Sequence, residues 1–144
     1  MEYLIGKPVS DHIKEELKEK ILKKKRKPVL YILLNKEDDS SLGYVNNLVK
    51  TGEKLNIEVK VITINSLQEY ISNINYINNE KNIDACLITR PLVKGVKEND
   101  VLPLLDYKKD VDSINHQSLG LILLGNEKFV PNTALAIIKM LDYY

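Results

Sequence analysis

The feature that most constrains this chain is Val29-Leu30-Tyr31-Ile32-Leu33-Leu34, an unbroken apolar run directly after Pro28. A strand with one face in water alternates apolar and polar residues, whereas a strand covered on both faces reads as a continuous apolar run. The segment therefore predicts a strand inside a parallel sheet, with Pro28 closing whatever precedes it. Ile57 to Ile64 and Ile83 to Thr89 read in the same way. Between these runs, Ser41 to Leu55 and Ser66 to Glu80 repeat apolar residues three and four apart, the period of an amphipathic helix. Strands alternating with helices predict a three-layer α/β sandwich, with a mainly parallel sheet flanked by helices and residues 1–144 forming one domain.

The flanking segments are helical too. Ser10 to Lys27 carries an N-cap candidate, Ser10, and apolar residues at Ile13, Leu17, Ile21 and Leu22. Its basic end, Lys23-Lys24-Lys25-Arg26-Lys27, reads as a solvated helix C-terminus, where cations favour the helix dipole. A short helix is expected around Glu98 to Leu105, and a short strand or packed loop over the glycine-bounded Leu119 to Gly125. Thr133 to Tyr144 predicts a last helix with Leu135, Ile138 and Leu141 on one face. Because that face is strongly apolar, it is expected to pack on a following domain or on a second copy in a homo-oligomer.

Composition excludes several partners. A net charge of +1 supplies no general attraction to nucleic acid or to an anionic membrane. No apolar stretch approaches the roughly 20 residues of a membrane helix, and the N-terminus lacks a secretory pattern. The lone cysteine, Cys86, lies inside an apolar run, which predicts a buried thiol and a reducing, cytoplasmic setting. His12 and His116 are far apart with no ligand-spaced partner, so no metal site is expected.

In open parallel α/β sheets ligands bind beyond the carboxyl ends of the strands, which directs attention to the loops there. One loop, Asn35 to Ser41, leads into a helix carrying Ser41-Leu42-Gly43-Tyr44-Val45. A strand ends in Leu87-Ile88-Thr89-Arg90-Pro91-Leu92, and further loops contain Lys109-Asp110-Val111-Asp112 and Phe129-Val130-Pro131-Asn132-Thr133. In this order and spacing they resemble motifs of the methylenetetrahydrofolate dehydrogenase/cyclohydrolase family: S-x-x-Y-[VI]-x-x-K, L-V-Q-L-P-L, K-D-V-D-G and F-x-P-C-T. Leu4-Ile5-Gly6-Lys7 resembles the family's opening x-x-G-K. The resemblance spans nearly the whole chain and implies the family's N-terminal folate-binding domain, with a tetrahydrofolate derivative as ligand.

That resemblance also implies roles. Asp112 corresponds to an aspartate that hydrogen-bonds the pterin ring, and a carboxylate offers two acceptors to the ring's adjacent N–H donors. Tyr44 corresponds to a tyrosine able to stack on the substrate. The family's catalytic lysine, held by a glutamine, corresponds to Leu48, and that glutamine to Thr89. An alkyl chain has no proton to exchange, so general acid/base chemistry is expected to be severely impaired. No catalytic residue is intact on this reading. Lys50 lies about 240° around the helix from Tyr44 and reads as a surface lysine. Ser113 takes the place of the glycine after K-D-V-D, which puts a side chain where positive φ is expected. Asn132 and Ala134 replace Cys and Pro of P-C-T-P.

No G-x-G-x-x-G loop is present, so the chain alone is expected to bind no cofactor, and NAD(P) only through a separate or removed Rossmann domain. Two alternatives to an impaired enzyme domain stand beside it: a non-catalytic folate-binding module built on Tyr44 and Asp112, and a pseudoenzyme that serves as an interaction subunit.

Overall fold

The computed structural model describes residues 3–144. Its centre is a three-stranded parallel sheet of order β2-β1-β3, with β1 at Val29–Asn35, β2 at Glu58–Ile64 and β3 at Ala85–Ile88. The helices are α1 (Gly6–Leu22), α2 (Leu42–Lys54), α3 (Leu67–Asn79), α4 (Glu98–Val101), α5 (His116–Leu123) and α6 (Asn132–Tyr143). The expected three-layer arrangement is present.

Alternation along β1 divides the core. Tyr31 and Leu33 join Cys86, Ile88 and Ile64 on one face, under Tyr70, Ile74 and Ile77 of α3. Ile32 and Leu34 join Leu87 on the other, under Val45 of α2. Burial on both faces explains why β1 lacks polar alternation. β2 departs from expectation: it is an edge strand whose Glu58, Lys60, Val61 and Thr63 are exposed. Lys60 and Glu58 pair across its surface at 3.1 Å, the kind of charged cover that keeps an edge from recruiting another strand.

Close approach of α2 to β2 depends on Gly52, since a Cβ there would collide with Val59 Cγ2. The same helix ends in a Schellman turn: Asn56 takes φ +59, its N–H reaches Glu53 O, and the Ile57 N–H reaches Gly52 O.

Three expectations are corrected. α1 starts at Gly6, four residues before Ser10, because Pro8 falls in the first turn, where its missing N–H would have no helical acceptor anyway. It stops at Leu22, and the basic run forms the turn beyond it. There Arg26 makes a two-pronged pair with Asp84, at 2.7 and 2.8 Å, while Asp84 Oδ2 also accepts the Val29 N–H. Arg26 is thus a tertiary clamp on the start of β1. Finally, Leu119 to Gly125 is neither strand nor packed loop. Asn115 caps the N-terminus of α5 by accepting from Gln117 N and Ser118 N, and Gly125 at φ +67 closes its C-terminus.

Cys86 is buried, and burial together with the neighbouring Asp110 carboxylate pushes its thiol up to about 12. It is a neutral core side chain. No helix among the described residues is long and apolar enough to cross a membrane.

Candidate functional site

The carboxyl ends of β1 and β3 open into loops that converge. Asn35, the last residue of β1, is buried; its side-chain amide donates to the carbonyls of Pro91 and Leu92 while its Oδ1 accepts from the Glu37 N–H. One side chain thereby ties the loop after β1 to the loop after β3. Asp38 next accepts from the backbone of Ser40 and Ser41 and from the Ser40 hydroxyl, winding residues 39–41 into a single 3-10 turn. The hydrogen bonds from Ser40 and Ser41 hold the Asp38 carboxyl below the usual carboxylate range, despite its burial. Ser41 in turn reaches the carbonyl of Arg90 at 3.3 Å.

These ties leave a small cleft of about 140 Å³, lined by Ser41, Tyr44, Leu87, Ile88, Thr89, Arg90 and Asp112. Three of the four positions singled out in the sequence, Tyr44, Thr89 and Asp112, meet here. Tyr44 projects from the first turns of α2 and is 55% exposed. Partial burial, and then the Asp112 charge, raise its phenol above the ordinary value, so it is a protonated donor at neutral pH. Thr89 is buried, and both its N–H and its hydroxyl address the Leu33 carbonyl, at 3.0 and 3.2 Å.

Leu48 is absent from that lining. One turn beyond Tyr44, it packs instead on the cluster of Ile32, Leu34, Val45 and Leu87. Lys50 is exposed and also lies outside the cleft.

The Lys109-Asp110-Val111-Asp112 loop divides its labour. Lys109 Nζ donates to the carbonyls of Ile77, Asn78 and Glu80 at the C-terminal end of α3. That end of a helix presents unpaired carbonyls and partial negative charge, so an ammonium fits there. Asp110 is buried and accepts from the Asn115 N–H at 2.9 Å and the Ser118 hydroxyl at 2.7 Å. The Cys86 N–H bonds the Lys109 carbonyl, which lays the loop alongside β3. With Lys109 and Asp110 both engaged in packing, Asp112 is the carboxylate turned to the cleft. Its Oδ1 accepts from Asn132 Nδ2. Ser113 follows in the left-handed region at φ +53, buried, with its hydroxyl unpaired among the described residues.

Sequence reasoning gave no site role to Asn35, Ser41, Arg90 or Asn132. Arg90 lines the cleft, and its Nε stands 2.9 Å from Glu98 Oε1. The signal for Arg90 lay in its adjacency to Thr89 at a strand end. That for Asn132 lay in its place within the Phe129 to Thr133 motif, though its partner Asp112 is 20 residues away, and Asn35 offered none, because its partners are remote in the chain.

A parallel sheet whose strand-end loops converge on a small cleft defines an open α/β domain, the kind in which ligands bind beyond the carboxyl ends of the strands. The chain belongs to the family described as tetrahydrofolate dehydrogenase/cyclohydrolase, catalytic domain, whose model matches residues 4–112. It is 36% identical over 139 residues to the bifunctional protein FolD of Caldanaerobacter subterraneus subsp. tengcongensis, covering 95% of this chain and 50% of that relative. FolD of Clostridium botulinum is 38% identical over 150 residues, covering 98% and 52%. The crystal structure of the bifunctional FolD methylenetetrahydrofolate dehydrogenase/cyclohydrolase from Campylobacter jejuni superposes with a TM-score of 0.92 at 31% identity, covering 98% of this chain and 52% of that one. The chain thus spans about half the length of the curated relatives it matches.

Proposed function

We propose that this domain binds a tetrahydrofolate derivative in the Tyr44–Thr89–Asp112 cleft and is severely impaired in cyclohydrolase chemistry. The observation that carries the reading is the division between Tyr44 and Leu48 on one helix. Tyr44 and Asp112 face a common cleft, while the side chain at the family's lysine position packs on Ile32, Leu34, Val45 and Leu87.

In this reading the pterin end of the ligand enters first. Asp112 accepts from adjacent N–H donors of the ring, and Tyr44 offers a flat apolar face with a protonated hydroxyl. Hydrolysis of a methenyl bridge needs a group that takes a proton from water and returns one to nitrogen near neutral pH. Leu48 has none to exchange, and the Thr89 hydroxyl is held on the Leu33 carbonyl. The remaining contribution is binding and orientation. Hydride transfer calls for a nicotinamide nucleotide, and the chain carries no glycine-rich phosphate loop, so none of its residues is assigned to that cofactor. A reducing, cytoplasmic setting is in keeping with the free buried Cys86.

Calorimetric titration with tetrahydrofolate and 5,10-methenyltetrahydrofolate tests the reading, with Asp112→Ala as control. Micromolar binding lost in the control, together with little or no decay of methenyl absorbance, is the expected result. Absence of binding by folded protein would reject the folate cleft, and brisk turnover would reject the impairment.

A further inference from the structure

We infer that Arg90 makes this cleft selective for folates that carry their glutamate tail, by holding a tail carboxylate at the rim. The inference rests on the folate reading and adds to it a second point of recognition.

Volume is the first argument. Clefts that enclose a whole drug-sized ligand run to roughly 300–1,000 Å³. At about 140 Å³ this cleft accommodates a ring system but not a ligand that continues through an aminobenzoyl group to a glutamate. The rest of such a ligand must therefore cross the rim.

Arg90 stands there. It lines the cleft, yet its side chain is 47% exposed. Its Nε is committed to Glu98 Oε1 at 2.9 Å, and among the described residues Glu98 is the one acidic partner it meets. A guanidinium has five donors in a rigid planar fork, so one ion pair at Nε leaves it further donors for an incoming carboxylate.

The charge layout gives direction. Asp112 and Arg90 line the same cleft with opposite signs. A ligand with N–H donors at one end and carboxylates at the other fits only with its donors toward Asp112 and its carboxylates toward Arg90. Tetrahydrofolate has this polarity, and tetrahydropteroate, the same head without glutamate, lacks the anionic end beyond its benzoate. The motif that Leu87 to Leu92 resembles has a leucine where Arg90 stands.

The test compares affinities for tetrahydropteroate, tetrahydrofolate and its triglutamate by calorimetry in the full chain, in Arg90→Leu, Arg90→Lys and Glu98→Gln, with Asp112→Ala as head-group control. Thermal melts confirm that each variant is folded. The expected result is about a tenfold preference of the unaltered chain for glutamylated ligands, shrinking as salt is raised. The preference should collapse in Arg90→Leu, be partly kept in Arg90→Lys and grow in Glu98→Gln, which removes the competing carboxylate. Asp112-dependent binding with no preference for the tail, or a preference that survives Arg90→Leu, would overturn the role of Arg90 while leaving the folate cleft standing. Failure of all three ligands to bind would overturn both.

Discussion

Asn132, the first residue of α6, donates from Nδ2 to Asp112 Oδ1 at 2.9 Å and to the Val111 carbonyl at 3.3 Å. One amide thus occupies one oxygen of the cleft carboxylate and fixes the loop that bears it, leaving Oδ2 to a ligand. The pair joins residues 20 positions apart in the chain.

Asn132→Ala should weaken tetrahydrofolate binding by about 3- to 10-fold, the value of one hydrogen bond that orients a charged acceptor. In an Asp112→Ala background the same substitution should add nothing. Calorimetry on the four proteins of this double-mutant cycle measures the coupling, and additive effects would show that Asn132 acts elsewhere.

Leu48→Lys alone should lower stability by about 1–2 kcal/mol, because it brings an ammonium to the apolar cluster of Ile32, Leu34, Val45 and Leu87. Combined with Thr89→Gln, which supplies an amide to hold the lysine, it should produce measurable decay of methenyltetrahydrofolate absorbance. A double variant that is folded and binds folate but stays inactive would mean that these two positions do not account for the impairment.

Gly52→Ala should destabilise the domain by about 1–3 kcal/mol, since its Cβ would collide with Val59 Cγ2 and helix and strand must separate to admit it. Gly120→Ala, in α5 with nothing within 4 Å of the added carbon, should instead stabilise by about 0.5–1 kcal/mol. Urea midpoints read both, and equal effects would contradict this packing.

Ser113→Gly should stabilise by about 0.5–1 kcal/mol. The residue sits at φ +53 with a buried, unpaired hydroxyl, and glycine removes the left-handed strain and the unsatisfied group at once. Thermal unfolding is the readout, and a lower melting temperature would be the contrary result.

Acid should loosen the loop after β1. The Asp38 carboxyl is held below its ordinary value of 3.8 by the Ser40 and Ser41 hydrogen bonds. A depressed folded-state pKa means that the stabilisation is fully present above the unfolded value and is lost as pH falls through the folded one. The stability gap between the unaltered chain and Asp38→Asn should therefore be constant above about pH 5 and close in stronger acid. A gap independent of pH down to full acid unfolding would exclude this linkage.

Much of the fold was readable along the chain. The run of β1, the amphipathic periods of α2 and α3, and the order of the strand-end motifs each depend on neighbours a few residues apart, and all appear in the structure. α5 was misread for a different reason. An eight-residue helix with Gly120 inside it has too little period to separate helix from strand, and the informative signals were the caps, Asn115 and Gly125. The edge position of β2 was hidden because strand order is a matter of which strands pair, and Val59, Val61 and Ile62 read as apolar on either kind of strand.

By itself the sequence determined the α/β class, the loops that carry the cleft and the residue types within it, since periodicity and motif spacing are local properties of the chain. Only the tertiary structure decided how those residues are used. It set Leu48 on the apolar cluster and Tyr44 at the cleft, and engaged Lys109 and Asp110 in packing while leaving Asp112 exposed to a ligand. It also brought Asn132 to Asp112, and Arg90 to Glu98 beside the same cleft. The physical reason is that a side chain's role follows from the partners that satisfy its charge or cover its surface, and those partners come from segments that folding alone brings together.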